Sequence, residues 1–169
     1  GQVIRGGKVG TSPAWLADAL EAAGQRPINN VVDVTNFITL ELGHPCHVFD
    51  LAKLAGAKLV VRHAAAKEKL TTLDGKTHEL AAADLVVADS EHAQSLAGVM
   101  GGADSEVGEG TVDVVLELAT WDPVTVREQG RRHTLRTDAS YRFERIVAPA
   151  ELDSAAARAA ALLVEVAGG

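Results

Sequence analysis

Apolar residues recur at helical spacing near the start of the chain. Leu16 and Leu20 lie one turn apart, after Ser12-Pro13 and before Gly24. Serine is a good N-cap, proline suits the first helical turn and glycine commonly ends a helix. We therefore predict a helix that Ser12 caps and Gly24 closes.

The segment 28–42 allows two interpretations. Its β-branched residues favour a strand, but its apolar residues recur every three or four positions, as on one face of a helix. Asn30 is a candidate cap and Gly43 a candidate terminator. We predict a helix here.

The middle of the chain is rich in short apolar runs that are typical of strands. Asp74-Gly75 is a good hairpin turn, because glycine accepts positive φ. We predict strands at 3–9, 47–49, 58–62, 70–73, 77–80, 84–88 and 111–118, and further helices at 122–132 and 150–166. The predicted fold class is α+β, a mixed and mainly antiparallel sheet framed by helices, in a single domain spanning 1–169.

Composition supports a globular protein without membrane segments. Hydrophobic residues make up 47% of the 169 residues and charged residues 23%, and no apolar run is long enough to span a bilayer. No leader sequence is recognisable, and the single cysteine, Cys46, cannot form an internal disulfide. We expect a cytoplasmic protein.

The net charge of −7 argues against a protein that, on its own, binds RNA tightly through the RNA phosphates. Six arginines nevertheless fall within residues 127–145, together with His133. They form either a solvated helix face with local ion pairs or a basic patch that contacts RNA held by a larger protein. Both interpretations stay open.

Motifs for nucleotide binding and for a serine nucleophile are absent from the sequence. His44, Cys46 and His47 lie close together, but a structural metal site needs a fourth ligand at a familiar spacing. We predict no metal site.

Five segments combine polar side chains with unusual apolar neighbours: residues 26–37, 44–50, 96–107, 114–124 and 135–145. Among their motifs are HPCHVFD and LRTDASYRFER. In this order the segments resemble the B3/B4 editing domain of bacterial phenylalanyl-tRNA synthetase β subunits. The resemblance covers nearly the whole chain.

The resemblance implies a proofreading function. An apolar synthetic pocket rejects tyrosine by only roughly a hundredfold, so the family hydrolyses mischarged Tyr-tRNA(Phe) at a second site. Implied partners are the tRNA(Phe) 3′ end, tyrosine, the remaining β-subunit domains and the α subunit. No cofactor is expected in this domain, since ATP and Mg²⁺ are used elsewhere in the full synthetase.

The resemblance assigns the two main roles to Glu117 and His47. Glu117 corresponds to the glutamate that recognises the tyrosine hydroxyl, and Leu116 and Leu118 on either side of it suggest partial desolvation. His47 corresponds to the histidine beside the scissile ester, as a base or as a positioning group. From the pattern alone, a surface or packing role would be favoured for each, and only the resemblance reverses this.

Other family positions line the implied pocket. Arg26 corresponds to an arginine near its mouth, with a plausible role in holding the tRNA 3′ end. The remaining matches are Thr35 and Asn36 for polar contacts, Gly98 and Gly101 for close backbone approach, and Thr137 and Ala139 for the amino-acid pocket.

The chain departs from the family pattern at two glycines. Thr134 stands where the family has glycine, and Ile146-Val147-Ala148 replaces Gly-Val-Asp. Two alternative functions remain: a binding or structural module of the synthetase that does not hydrolyse anything alone, and an unrelated or metal-dependent hydrolase.

Overall fold

The ambiguous segment before residue 43 forms helix α2, Asn30–Leu42, in the computed structural model, which describes all residues from 1 to 169. The side chain of Asn29 accepts hydrogen bonds from the backbone of Val31 and Val32, so Asn29 is the cap and Asn30 lies one residue inside the helix. Gly43 ends the helix with a φ of 68°. The predicted helix is confirmed, because its apolar stripe packs into a core.

Five α-helices and nine strands make up the chain. The other helices are α1 (Ala14–Ala22), α3 (Pro123–Arg132), α4 (Asp138–Phe143) and α5 (Leu152–Ala167), and short 3₁₀ turns cover Leu51–Lys53, Ala55–Ala57 and Pro149–Glu151. The strands are β1 (Gln2–Ile4), β2 (Cys46–Asp50), β3 (Val60–His63), β4 (Lys69–Thr71), β5 (Thr77–Glu79), β6 (Leu85–Ala88), β7 (Ala93–Leu96), β8 (Met100–Gly101) and β9 (Val114–Leu118).

The strands form three sheets, and every pairing is antiparallel. Their orders are β1-β9-β2, β3-β6-β7-β8 and the hairpin β4-β5. Helices accompany these sheets, which confirms the α+β class. None of the helices combines the length and the hydrophobicity that a bilayer-spanning segment requires.

The chain divides into two compact units. The first unit comprises Gly1–Asp50, Val107–Ala119 and Ala148–Gly169, and the second unit comprises Leu51–Glu106 and Thr120–Val147. Each has its own apolar core, centred in the first unit on residues of α2 and α5 such as Val34 and Leu163. In the second unit, Leu96 and Phe143 belong to the core. The expected single domain over 1–169 stays a prediction.

Several local details differ from the sequence prediction, and the strand predicted over 3–9 forms only as Gln2–Ile4. Ser12 does not cap α1: its hydroxyl donates to Asp33 Oδ2 at 2.5 Å, and Pro13 occupies the cap position. Strands β7 and β8 and helix α4 were not predicted. The polar Gln94 and Ser95 interrupt the apolar pattern of β7, and β8 is only two residues long and includes Gly101. A helix of six residues is too short to show a periodic pattern.

Candidate functional site

Glu117 and His47 are direct partners across the β2–β9 ladder of the first unit. Side chains directly opposite each other on antiparallel strands lie about 5 Å apart at Cβ and project from the same face. Phe49, two residues after His47, shares that face, and its ring meets the imidazole edge-on at 4.6 Å between centroids. The opposite face of the two strands, with Val48 and Leu116, belongs to the apolar core. The strand register therefore brings together the two residues assigned the main roles.

Glu117 is half-buried, and its carboxyl group lies on the same face as His47. Burial raises its pKa from 4.5 to about 7, with the amino group of Gly1 acting in the opposite direction. No hydrogen bond stabilises the charged form. Near neutral pH the carboxyl group is thus divided between two states, a carboxylate that accepts a hydrogen bond and an acid that can also donate one.

The imidazole of His47 is neutral near pH 7. Burial lowers its pKa from 6.5 to about 4, and its Nε2 is buried without a hydrogen-bond partner. A buried polar atom of this kind is commonly paired in native proteins with a group, a water or a ligand. The ring is therefore suited to hold a ligand atom or a water.

Thr35, Asn36 and Arg26 also belong to the first unit. Thr35 is buried, and its hydroxyl donates to the Val32 carbonyl within α2 at 2.7 Å. Asn36 is half-buried on the same helix, and Arg26 is exposed on the segment before it.

The Cys46 thiol approaches the Thr35 carbonyl at 3.7 Å. Burial, together with Glu117, raises the pKa of this thiol to about 12. Cys46 is thus a protonated thiol and not a nucleophile.

Gly98 and Gly101 lie in the turn and strand after β7, in the second unit. Gly98 has a φ of 68°, and a Cβ placed on it would lie 2.7 Å from Trp121 Cδ1 and 3.0 Å from Val126 Cγ2. Gly101 is buried in β8, and its carbonyl accepts from the backbone of Leu73 at 3.0 Å. The glycine at position 98 is required by both backbone conformation and packing.

Thr137 and Ala139 lie at the start of α4, and Thr137 is tied to the Gly98 turn. Its hydroxyl donates to the Val99 carbonyl at 2.7 Å and accepts from the backbone of Ser140, which completes a capping box. Ala139 is half-buried against the core of the second unit. Thr137 thus fixes α4 relative to the turn, a structural role beside the one implied by resemblance.

Sequence reasoning missed two aromatic residues at these positions. Strand alternation places Phe49 beside His47, so that contact could have been read from HVF alone. Nothing in the sequence indicates that Trp121 packs against Gly98. No group of three or more His, Cys, Asp or Glu is arranged to hold a metal ion. His44 is buried, and its Nε2 also has no partner.

The arginine cluster is only partly neutralised. Arg132, Arg142 and Arg145 pair with Asp84, Asp138 and Glu144, and His133 Nε2 lies 2.6 Å from Asp84 Oδ2. The local ion pairs expected of the first interpretation are therefore present. Arg127, Arg131 and Arg136 have no such carboxylate partner and line one groove.

Residues 1–168 match the family model described as the B3/4 domain. The chain belongs to the B3/4 domain family. It is 53% identical over 168 residues to a phenylalanine–tRNA ligase β subunit of Syntrophotalea carbinolica, covering 99% of this chain and 21% of the relative. A β subunit of Anaeromyxobacter dehalogenans is 52% identical with the same coverage. One of Nocardia farcinica is 55% identical over 158 residues, covering 94% and 19%.

This B3/4 domain thus spans about a fifth of the curated relatives that it matches. The match supports the family resemblance drawn from the five segments. Both departures from the glycine pattern, Thr134 and Ile146, have a left-handed backbone, with φ of 55° and 71°. The backbone at these positions is therefore of the kind that glycine adopts most easily, although neither residue is glycine.

Proposed function

We propose that this B3/4 domain is the proofreading part of a phenylalanine–tRNA ligase β subunit. It hydrolyses the ester of Tyr-tRNA(Phe), and Glu117 recognises the tyrosine hydroxyl. The observation that carries the proposal is a half-buried carboxyl group without a hydrogen-bond partner, directly opposite a histidine with an unpaired nitrogen. A pocket that binds a phenol through such a group discriminates against the phenyl ring, which would leave the carboxyl group unpaired.

The pKa of Glu117 suits recognition at neutral pH. As a carboxylate it accepts a hydrogen bond from the phenolic hydroxyl, and as an acid it can donate one to the phenolic oxygen. Phenylalanine offers neither group. The discrimination expected of such a site is about 10⁴ or more.

In the proposal, His47 positions a reacting group and does not act as a general base. A general base works best when its pKa lies near the operating pH, and the pKa of His47 is lowered to about 4. Its neutral ring instead orients the attacking water or a hydroxyl of the terminal adenosine. No nucleophilic side chain is invoked, because positioning of water and ester supplies much of the acceleration.

Replacing Glu117 by alanine tests the recognition role. We expect kcat/KM for Tyr-tRNA(Phe) deacylation to fall by about 10⁴, the discrimination assigned to Glu117, and the Tyr:Phe ratio to approach unity. Glu79→Gln is the control, since Glu79 lies exposed on strand β5 and should leave both rates unchanged. A Glu117→Ala protein that still prefers the tyrosyl ester by the parental factor contradicts the proposal.

Replacing His47 by alanine separates positioning from recognition. This variant should slow hydrolysis of both esters while leaving the Tyr:Phe ratio near the parental value. Should the double variant of Glu117 and His47 hydrolyse as fast as the parent, the site lies elsewhere. Binding of tyrosine in calorimetry without any turnover would favour the module that binds but does not hydrolyse.

A further inference from the structure

An open groove runs between helices α3 and α4, wholly within the second unit. Its volume is about 530 Å³. The lining residues are Val126, Arg127, Gly130, Arg131, Thr134, Leu135, Arg136, Ser140 and Glu144. Three exposed guanidinium groups thus share one concave surface, and none of the roles proposed above uses it.

Three arginines around the groove have no carboxylate within ion-pair distance, although Arg127 acts electrostatically on Asp122. Arg127, Arg131 and Arg136 form no ion pair with a carboxylate of the chain, unlike the other arginines of the cluster. The only carboxylate in the lining is that of Glu144, which pairs with Arg145. Asp122 and Glu128, both exposed, are the other acidic residues on or next to α3. The surface therefore carries a local excess of positive charge.

The net charge of the chain is distributed unequally between the two units. The second unit has twelve Lys and Arg and twelve Asp and Glu residues, so the net charge of −7 belongs entirely to the first unit. Within residues 120–147, six arginines face only four acidic residues. The overall acidity that argued against RNA binding does not apply to this surface.

An exposed aromatic ring lies beside the groove. Tyr141 on α4 is 45% exposed, and the guanidinium groups of Arg136 and Arg145 lie 5.8 Å and 3.7 Å from its ring centroid. Proteins that bind single-stranded nucleic acid combine a basic groove along the backbone with aromatic rings on which bases stack. An acidic peptide would use the arginines but has no bases to stack on Tyr141.

We propose that the α3–α4 groove binds single-stranded RNA, with Arg127, Arg131 and Arg136 on its phosphates and Tyr141 under a base. Arginine suits this role because its planar guanidinium binds phosphate through two hydrogen bonds and also stacks. In the proposed function this RNA is part of the tRNA substrate, and to that extent the inference rests on that function.

The test measures binding of unacylated RNA, so its outcome does not depend on hydrolysis. The whole chain is titrated against a labelled single-stranded RNA of about 12 nucleotides, read by fluorescence anisotropy. Three phosphate contacts predict that the affinity falls about 20-fold between 50 and 200 mM salt. The triple variant Arg127→Gln, Arg131→Gln, Arg136→Gln should reduce the slope of log affinity against log salt by about 2.

A charge-matched control distinguishes the groove from general charge. The triple variant Lys58→Gln, Lys67→Gln, Lys69→Gln removes the same charge from exposed positions of the second unit outside the groove and should bind RNA like the parent. Tyr141→Ala should weaken binding about 5- to 100-fold, whereas Tyr141→Phe keeps the stacking surface and the affinity.

Several results would overturn the inference. They are no RNA binding by the parent at low salt, equal losses in the arginine and lysine variants, or arginine-dependent binding of an oligoglutamate peptide without binding of RNA. A different result is that the arginine variant loses RNA binding while Glu117→Ala keeps the parental Tyr:Phe ratio. The inference about the groove would then be supported, and the proposed editing function would be contradicted.

Discussion

Ile146 and Thr134 place β-branched side chains on a left-handed backbone. For an L-residue this conformation costs about 1–2 kcal/mol relative to the right-handed helix, and glycine avoids most of that cost. Thr134 occupies the position after the C-cap of α3, where the Leu135 N–H donates to the Gly130 carbonyl, as in a Schellman motif. Glycine is the residue that this motif usually contains.

Ile146→Gly should therefore stabilise the protein. Ile146 is 74% exposed, so its removal loses little apolar burial. After the entropy that glycine adds to the unfolded chain, we expect a gain of about 0.5–1 kcal/mol in urea unfolding. Ile28→Gly is the control, because Ile28 is 66% exposed and is not among the residues with positive φ. That change should destabilise, and equal effects of the two substitutions would show that Ile146 is unstrained.

At the scale of elements, the turn between β7 and β8 depends on Gly98. Alanine there would combine a positive φ with a Cβ 2.7 Å from Trp121. Gly75 in the β4–β5 hairpin has a similar φ of 79°, but a Cβ placed on it would have no atom within 4 Å. Alanine substitutions at Gly75 and Gly98 therefore separate the cost of backbone strain from the cost of steric overlap.

We expect Gly75→Ala to destabilise by about 1 kcal/mol from strain alone. Gly98→Ala should lose about 1–3 kcal/mol more, because Trp121 and Val126 must move. Urea unfolding gives both values, and a shift in tryptophan emission should accompany only the second substitution. Equal losses of stability from the two substitutions would mean that Trp121 moves without a cost in free energy.

Elements with a clear period or turn signal were predictable from sequence. The stripe of α2, the Asp74-Gly75 turn and the Asp122-Pro123 start of α3 all appear where expected. Helix α4 is stabilised by the capping box of Thr137. In the sequence, this segment was interpreted only as part of a family motif. The register that sets His47 opposite Glu117 links strands far apart in the chain. No local pattern specifies such a pairing.

For the whole molecule, the two opposed groups give opposite pH dependences of folding. The pKa of Glu117 rises from 4.5 to about 7, so in that range the folded chain keeps a proton that the unfolded chain has released. Stability from this group falls as pH rises through the range. The pKa of His47 falls from 6.5 to about 4, so the unfolded chain binds the extra proton and stability rises with pH. Between about pH 4.5 and 6.5 the two effects nearly cancel.

Single substitutions should expose each effect. Relative to the parent, Glu117→Gln should make stability rise with pH by up to about 1.4 kcal/mol per unit between about pH 4.5 and 6.5, and His47→Asn should make it fall similarly. Urea unfolding across this range measures both slopes, and Glu79→Gln serves again as a control for the loss of one carboxylate. Parental slopes in both single variants would mean that neither group titrates abnormally.

The pairing of β2 with β9 also determines when, during translation, the proposed site can form. The strand that carries Glu117 pairs with β1 and β2, so this sheet waits until Leu118 has left the ribosome. By then residues 51–106 of the second unit have already been synthesised and can begin to fold. The nascent chain therefore exposes His47 without the partner carboxyl group while residues 48–117 are synthesised, and the proposed editing chemistry can begin only after that.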